Sequence, residues 1–269
     1  MPLPTFLVVG AQKCGTTSLH AYLDRHPKIG MSTTKEVNFF NWHWDRGLDW
    51  YGDHFGTEPV RGETCPQYAA HPAWPEVPER AAATIPGLRI IYAIRDPAER
   101  IASAWIHASE KGVERRSFRE LVFGDDFPNS GYVAMSRFHT QLEIWRQFIP
   151  DERILVLDQA DLLRSPQTVL DRVVVFLGLD PAEFPAFEEA RDHVSSAKRR
   201  PPDAALRILG RRASRNEPIP AYRQALASRI TRRWGTSIER PSLSPDVRSR
   251  IVDLLGEEYD LARALAHEV

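Results

Sequence analysis

Gly10-Ala11-Gln12-Lys13-Cys14-Gly15-Thr16-Thr17 is the stretch that decides the fold. It follows the apolar run Phe6-Leu7-Val8-Val9, which reads as a buried strand. It opens a stretch from Thr17 to Arg25 in which Leu19, Tyr22 and Leu23 share one helical face. Strand, glycine-bounded loop and helix, in that order, aim backbone N–H groups and the positive end of a helix at an anion. A loop built for nucleoside triphosphates carries its lysine directly after the second glycine, as G-x-x-x-x-G-K-[ST]. Thr16 stands at that position, and the lysine is Lys13, inside the loop. The spacing therefore predicts a phosphate ligand whose outer group is held differently.

Outward from this loop, strands and helices alternate. Leu88 to Ile94 reads as a second buried strand, and Pro97 opens a helix running to about Ala108. Tyr132 to Phe148 places Met135, Phe138, Leu142, Trp145 and Phe148 at helical spacing and predicts one helix. Arg153 to Leu157 reads as a third strand, and Ile29-Gly30-Met31 is short and strand-like. Ser165-Pro166 supplies an N-cap and a first-turn proline for a helix ending before Gly178, and Ser244-Pro245 does the same for a final helix through about residue 266. Short apolar strands separated by helices predict a P-loop-type α/β domain, with a central parallel sheet flanked by helices. Residues 36–80 and 195–242 are rich in Pro, Trp and Arg and lack periodicity. They are read as loops and short helices, the first on the acceptor side and the second a basic loop and helical segment near the nucleotide.

The chain has 269 residues, of which 42% are hydrophobic and 26% charged, so one domain with a full core is expected. No apolar run approaches the length of a membrane span and no leader precedes the first strand, so the expectation is a soluble, cytoplasmic protein. Two cysteines, Cys14 and Cys65, make neither a disulfide framework nor a metal site. The histidines show no metal-binding spacing. An alanine-, arginine- and proline-rich composition points to a GC-rich bacterial source. The net charge is −1, yet residues 191–250 hold 15 Lys and Arg against 5 Asp and Glu. That local excess fits either an anionic partner or a solvated Arg-rich surface.

Three segments in order resemble the sulfotransferases that use 3′-phosphoadenosine-5′-phosphosulfate (PAPS), in the branch acting on heparan sulfate and bacterial carbohydrates. They are Gln12-Lys13-Cys14-Gly15-Thr16-Thr17, Lys35-Glu36-Val37-Asn38-Phe39-Phe40, and Arg95-Asp96-Pro97-Ala98-Glu99-Arg100-Ile101-Ala102-Ser103. Gly131-Tyr132, Val156-Leu157-Asp158 and the basic Ser195-Ser196-Ala197-Lys198-Arg199-Arg200-Pro201 agree with the same family. The resemblance implies that Lys13, Cys14, Gly15, Thr16 and Thr17 hold the 5′-phosphosulfate, with the Lys13 ammonium stabilising the departing phosphate. It implies that Arg95 and Ser103 clamp the 3′-phosphate, where a guanidinium suits a phosphate through paired hydrogen bonds. Lys198 and Arg199 correspond to the loop closing over the nucleotide, and Arg100 is read as structural. Glu36 is implied as the general base taking the proton of an acceptor hydroxyl on a glycan, lipid or small molecule. The products are the sulfated acceptor and 3′,5′-ADP, with no metal required and no nucleic acid as partner.

The chain departs from the heparan-sulfate pattern at Asn38, where histidine is common, at Asn41, where aspartate is common, and at Thr64, where a lysine handles acidic sugars. Trp42, Trp44, Trp50, Tyr51 and Phe55 read equally as an acceptor wall or as core beneath a long loop. Cys14 reads as a packed thiol, or as a helix-start thiol of lowered pKa. Two other classes remain open. A P-loop kinase or nucleotidase would want a lysine at position 16 and a magnesium carboxylate, for which Asp96 could serve. A non-enzymatic binder of anions would use residues 191–250 and leave the Lys13 loop idle.

Overall fold

A computed structural model describes residues 2–183, 198–209 and 221–267. Positions 195–197 of the basic loop lie outside the described residues, as does part of the helical segment expected after it. Five parallel strands form the sheet in the order β2-β3-β1-β4-β5. They are β1 (Phe6–Gly10), β2 (Ile29–Met31), β3 (Val60–Thr64), β4 (Arg89–Ile94) and β5 (Ile154–Asp158). A short antiparallel pair, β6 (Arg199–Arg200) and β7 (Thr236–Ser237), stands apart from it. The helices in chain order are α1 (Thr16–Leu23), α2 (Gly47–Gly52), α3 (Val77–Thr84), α4 (Pro97–Glu110), α5 (Phe118–Val122) and α6 (Gly131–Ala134). They continue with α7 (Phe138–Arg146), α8 (Gln159–Arg164), α9 (Pro166–Phe176), α10 (Asp203–Leu209), α11 (Ala221–Trp234) and α12 (Pro245–His267). None of the described helices is long and apolar enough to cross a membrane.

All five residues of β1 are buried, because its apolar side chains alternate between two cores. Phe6 and Val8 face α1 and α9, where they meet Leu19, Leu23, Val169, Leu170 and Val173. Leu7 and Val9 face the other way, into a core with Phe138, Leu142 and Trp145 of α7 and Ala262 of α12. A third cluster joins Ile101 and Trp105 of α4 to Phe118 and Leu121 of α5 and Ile251 of α12. From β1 the chain crosses toward β2 on one side of the sheet, and from β4 it crosses toward β5 on the other. The loops after β1 and β4 therefore part above neighbouring strand ends, the place where open α/β sheets bind ligands.

Two expectations need correcting. Residues 36–80 hold more than the loops and short helices expected: they also contain β3, which pairs with both β1 and β2. The strand Val60-Arg61-Gly62-Glu63-Thr64 has no apolar alternation, because Gly62 gives its place to the Phe6 ring and the buried Glu63 carries a private hydrogen-bond network. The helix expected over 132–148 is broken into α6 and α7. The Tyr132 carbonyl accepts from the Arg100 Nη1 (2.9 Å) and the Ser136 hydroxyl (2.8 Å), and Arg137 leaves the helical region with φ −79° and ψ 69°. Side-chain donors have replaced the next helical N–H at this turn.

Candidate active site

The loop after β1 is fixed from behind by two arginines. The Arg100 Nε donates to the Gln12 carbonyl at 3.1 Å, and the Arg95 Nη1 donates to the Lys13 carbonyl at 3.1 Å. Two successive carbonyls are thereby drawn onto arginines, and Lys13 sits in the left-handed region at φ 71°. Non-glycine residues hold that conformation only where their surroundings over-determine it. Gly15, at φ 85°, turns the chain into α1 without a side-chain cap, so the first helical turn keeps its backbone donors for an outside partner. Thr16 is buried beneath this turn and Thr17 is exposed on it. Cys14 is buried, its amide turned inward to the Ala11 carbonyl (3.2 Å), and burial pushes its thiol up to about 12. It is a packed thiol, not an activated one.

A stripe of α4 at positions 100, 103, 107 and 110 faces this loop, since residues three and four apart share a helix face. Arg100 is only 1% exposed and also donates to the Tyr132 carbonyl and the Ser136 hydroxyl. Glu110 holds the Lys198 ammonium at 2.7 Å. Ser103 lies between them on the same stripe. Partial burial lowers Lys13 to about 8, with the Lys198 ammonium adding to the effect. His107 is lowered to about 4 by burial and by the cations of Lys13, Lys111 and Lys198. Lys13 and Lys198 are thus gathered over the loop, and such a concentration of positive charge favours an anionic ligand. Arg95 meets Glu99 at 3.1 Å, and Arg240 pairs with the same carboxylate.

Strand alternation sorts the basic loop. Lys198 and Arg200 face α4: Arg200 donates to the Ser109 hydroxyl (3.4 Å) and the Arg115 carbonyl (3.1 Å) and lies over Trp105. Arg199 lies on the opposite side of β6, where its guanidinium donates to the carbonyls of Arg232 (3.0 Å) and Gly235 (3.1 Å). Sequence reasoning paired Lys198 with Arg199, whereas the strand brings Lys198 and Arg200 to the α4 side.

Glu36 reaches the same sheet edge. Its N–H donates to the Thr64 carbonyl at 3.1 Å, and Thr64 pairs with Val8 of β1. Its carboxylate is half-exposed and held by Lys35 at 2.8 Å. Glu36 and Asn38 are both left-handed, at φ 60° and 59°. The Asn38 N–H donates to Glu63 (3.1 Å) and its side-chain N–H to the Glu36 carbonyl (2.6 Å), while its Oδ1 accepts from Asn41 (3.3 Å). The two asparagines thus pin the turn that carries Glu36. Glu63 is fully buried and accepts from Tyr51 (2.6 Å) and Tyr68 (3.0 Å). Burial lifts its carboxyl to about 7 against the pull of those donors. Sequence reasoning left Arg100 structural and passed over Glu63, because a buried charge inside an element leaves no periodic trace. Thr64 uses its hydroxyl on the His20 Nδ1 at 3.1 Å.

The aromatic cluster divides. Tyr51 and Phe55 are core, with Tyr51 stacked on Phe39 at 4.2 Å, and Trp44 and Trp50 pack against the same core. Trp42 alone of the five is exposed, edge-on to Trp74 at 6.2 Å. Among the described residues, no group of three His, Cys, Asp or Glu is arranged to hold a metal ion.

This arrangement can be set beside known proteins. The human bifunctional heparan sulfate N-deacetylase/N-sulfotransferase 3 is 32% identical over 200 residues, covering 66% of this chain and 23% of that protein. The Drosophila melanogaster bifunctional heparan sulfate N-deacetylase/N-sulfotransferase is 28% identical over 208 residues, covering 66% of this chain and 20% of that protein. The chain thus spans less than a quarter of the length of these curated relatives. A crystal structure of a sulfotransferase from Alicyclobacillus acidocaldarius superposes with a TM-score of 0.69 at 22% identity, over 100% of this chain and 98% of that one. Mouse sulfotransferase SULT7A1, crystallised in complex with PAP, gives a TM-score of 0.53 at 12% identity, over 99% of this chain and 89% of that one. Both share the fold. The family described as the sulfotransferase domain matches residues 3–200, and with β1, the lysine loop and the Arg95-to-Ser103 segment all inside that match, the chain belongs to the sulfotransferase domain family.

Proposed function

We propose that the protein transfers a sulfuryl group from PAPS directly to an acceptor hydroxyl, with no covalent intermediate. The observation that carries this reading is the lysine loop, with Lys13 left-handed and desolvated and its backbone tied down by Arg95 and Arg100. The residues present suit the nucleotide: an uncapped helix start and Lys13 for the 5′-phosphosulfate, and Arg95 with Ser103 for the 3′-phosphate. Lys198 and Arg200 come from the flanking strand. In the reaction the acceptor oxygen attacks sulfur, the bond from sulfur to the bridging phosphate oxygen breaks, and 3′,5′-ADP departs. Lys13 stabilises the charge building on that phosphate. Glu36 takes the acceptor proton as it releases Lys35. A kinase reading finds Thr16 where its lysine belongs, and Asp96 is already engaged at 3.0 Å by Arg248. The two unpaired thiols, both buried, suit the reducing cytoplasm that we propose as its compartment.

The acceptor is proposed to be a glycan, in keeping with the relatives named for heparan sulfate. Those names also specify N-sulfotransferase, which makes a glycan amine the second acceptor class. The test is release of 3′,5′-ADP from PAPS in the presence of desulfated heparin oligosaccharide, a neutral hexosamine oligosaccharide, a glycolipid and a simple phenol. Sulfated product in step with 3′,5′-ADP supports the assignment, and Glu36→Gln should cut turnover by about 10²–10⁴. Phosphorylated product from ATP, with none from PAPS, would overturn it.

A further inference from the structure

Glu63 is a fully buried carboxylate that the proposed chemistry does not touch, in the interior of β3, one residue before the strand's end. We propose that Glu63 is the positioning residue that holds the Glu36 carboxylate at the sheet edge. This inference rests on the reading of Glu36 as the base.

The network runs in one direction. Glu63 accepts the Asn38 N–H at 3.1 Å and the hydroxyls of Tyr51 and Tyr68 at 2.6 and 3.0 Å. The Tyr68 oxygen in turn accepts the Phe40 N–H at 3.3 Å. Two amides of the turn after Glu36 therefore hang on this one side chain, Asn38 directly and Phe40 through Tyr68. Asn38 passes the constraint back, its side-chain N–H on the Glu36 carbonyl at 2.6 Å. Its remaining acceptors are also occupied: the carbonyl by the amides of Trp42 (3.0 Å) and His43 (3.1 Å), and Oδ1 by Asn41 (3.3 Å) and the Cys65 thiol (3.2 Å). The second anchor is the Glu36 N–H on the Thr64 carbonyl, one residue along the same strand.

This explains the two left-handed residues. Glu36 and Asn38 have no glycine's freedom, and each position costs conformational energy that only an over-determined environment sustains. Between them Val37 is buried in the core, so the turn cannot roll outward. A carboxylate is the group this place calls for, because the Asn38 amide and the two tyrosine hydroxyls that meet it are all donors and it accepts on both oxygens. The tyrosines are themselves immobile: Tyr51 is stacked on Phe39, and Tyr68 is edge-on to Phe40 at 5.5 Å. The strand, the carboxylate and the aromatic core together form a mount, and Glu36 is what the mount presents.

The experiment is a cycle of Glu63→Gln, Glu36→Gln and the double variant. It is read by 3′,5′-ADP release from PAPS with desulfated heparin oligosaccharide and by calorimetric titration with 3′,5′-ADP. Glu63→Gln should lower kcat about tenfold to a hundredfold, the loss typical of a misplaced group, and leave 3′,5′-ADP affinity unchanged. In the Glu36→Gln background the same change should cost nothing further, which a loss of general stability would not reproduce. A crystal structure of Glu63→Gln should show the 36–38 turn displaced, a readout independent of any acceptor. Should Glu63→Gln not fold, Tyr68→Phe keeps the carboxylate and removes one donor and the Phe40 link, with a severalfold loss in kcat expected. An unmoved turn, full turnover in Glu63→Gln, or losses that multiply in the double variant would each overturn the role of Glu63 alone. Near-native turnover in Glu36→Gln would overturn the base assignment, and this inference with it.

Discussion

Replacing Arg100 with methionine tests how the lysine loop is held. The guanidinium makes three hydrogen bonds: to the Gln12 carbonyl at 3.1 Å, the Tyr132 carbonyl at 2.9 Å and the Ser136 hydroxyl at 3.3 Å. Methionine fills much of the space and donates nothing. The Tyr132 carbonyl keeps the Ser136 hydroxyl at 2.8 Å, whereas the Gln12 carbonyl is left with only the weak Cys14 thiol at 3.8 Å. One partly buried acceptor thus loses its strong donor, which costs no more than the roughly 1–3 kcal/mol of an unmet buried acceptor. Removing a desolvated charge whose hydrogen-bond partners are neutral offsets part of that cost. The net loss of stability should lie at the low end, lowering Tm by about 2–4 °C for each kcal/mol in a chain of this size. The larger effect falls on the ligand. With Gln12 released, the left-handed Lys13 is secured by Arg95 alone, and binding must reimpose a conformation worth about 1–3 kcal/mol. At about 1.4 kcal/mol per factor of ten, affinity for 3′,5′-ADP should fall roughly tenfold to a hundredfold. The assay is calorimetric titration beside thermal unfolding, with Arg100→Lys keeping the charge but not the bridge. A methionine variant that melts lower yet binds 3′,5′-ADP like the parent would refute the reasoning and reduce Arg100 to packing.

Lys13→Met should raise the Tm of the ligand-free protein at pH 7. The ammonium titrates at about 8 in the fold against 10.5 when free, so its contribution to stability is complete only above the free value and is lost as pH falls through 8. The gain should shrink by pH 10, and 3′,5′-ADP affinity of the parent should decline as pH climbs past 8, both followed by scanning calorimetry and titration. Glu63 works in the opposite sense: its carboxyl is raised from 4.5 to about 7, so its contribution is complete below 4.5 and fades as pH rises through 7. Urea unfolding at pH 5 and pH 8 should show a smaller change in Glu63→Gln than in the parent. Arg200→Ala should weaken 3′,5′-ADP binding several-fold while Arg199→Ala leaves it unchanged, by titration. The reverse ranking would mean that the register of β6 does not govern the contacts.

The parts legible in the sequence were those with a local signature. Phe6-Leu7-Val8-Val9 and Arg89 to Ile94 are apolar on both faces, as central parallel strands must be, and the lysine loop follows from its two glycines. The strand β3 was illegible because its buried positions are Gly62, Glu63 and Thr64, none of them an apolar marker. The break between α6 and α7 was hidden for a different reason. The apolar spacing from Met135 to Phe148 is truly helical, and the interruption comes from Arg100, more than thirty residues away. The aromatic residues after Glu36 could not be divided from sequence, since core and wall use the same side chains, and only the fold leaves Trp42 exposed. Arg199 and Arg200 are chemically identical, and strand pairing with β7 alone decides which of them faces α4.

The most direct test of the central claim is metal-free calorimetric titration of the protein with 3′,5′-ADP, set against ATP with magnesium and repeated for Arg95→Ala. Stoichiometric binding of 3′,5′-ADP without metal, tighter than ATP with magnesium and weakened by about 1.5–3 kcal/mol in Arg95→Ala through loss of a charge-assisted contact, is the result expected of a PAPS-binding site. Tighter binding of ATP with magnesium, or 3′,5′-ADP binding indifferent to Arg95, would contradict it.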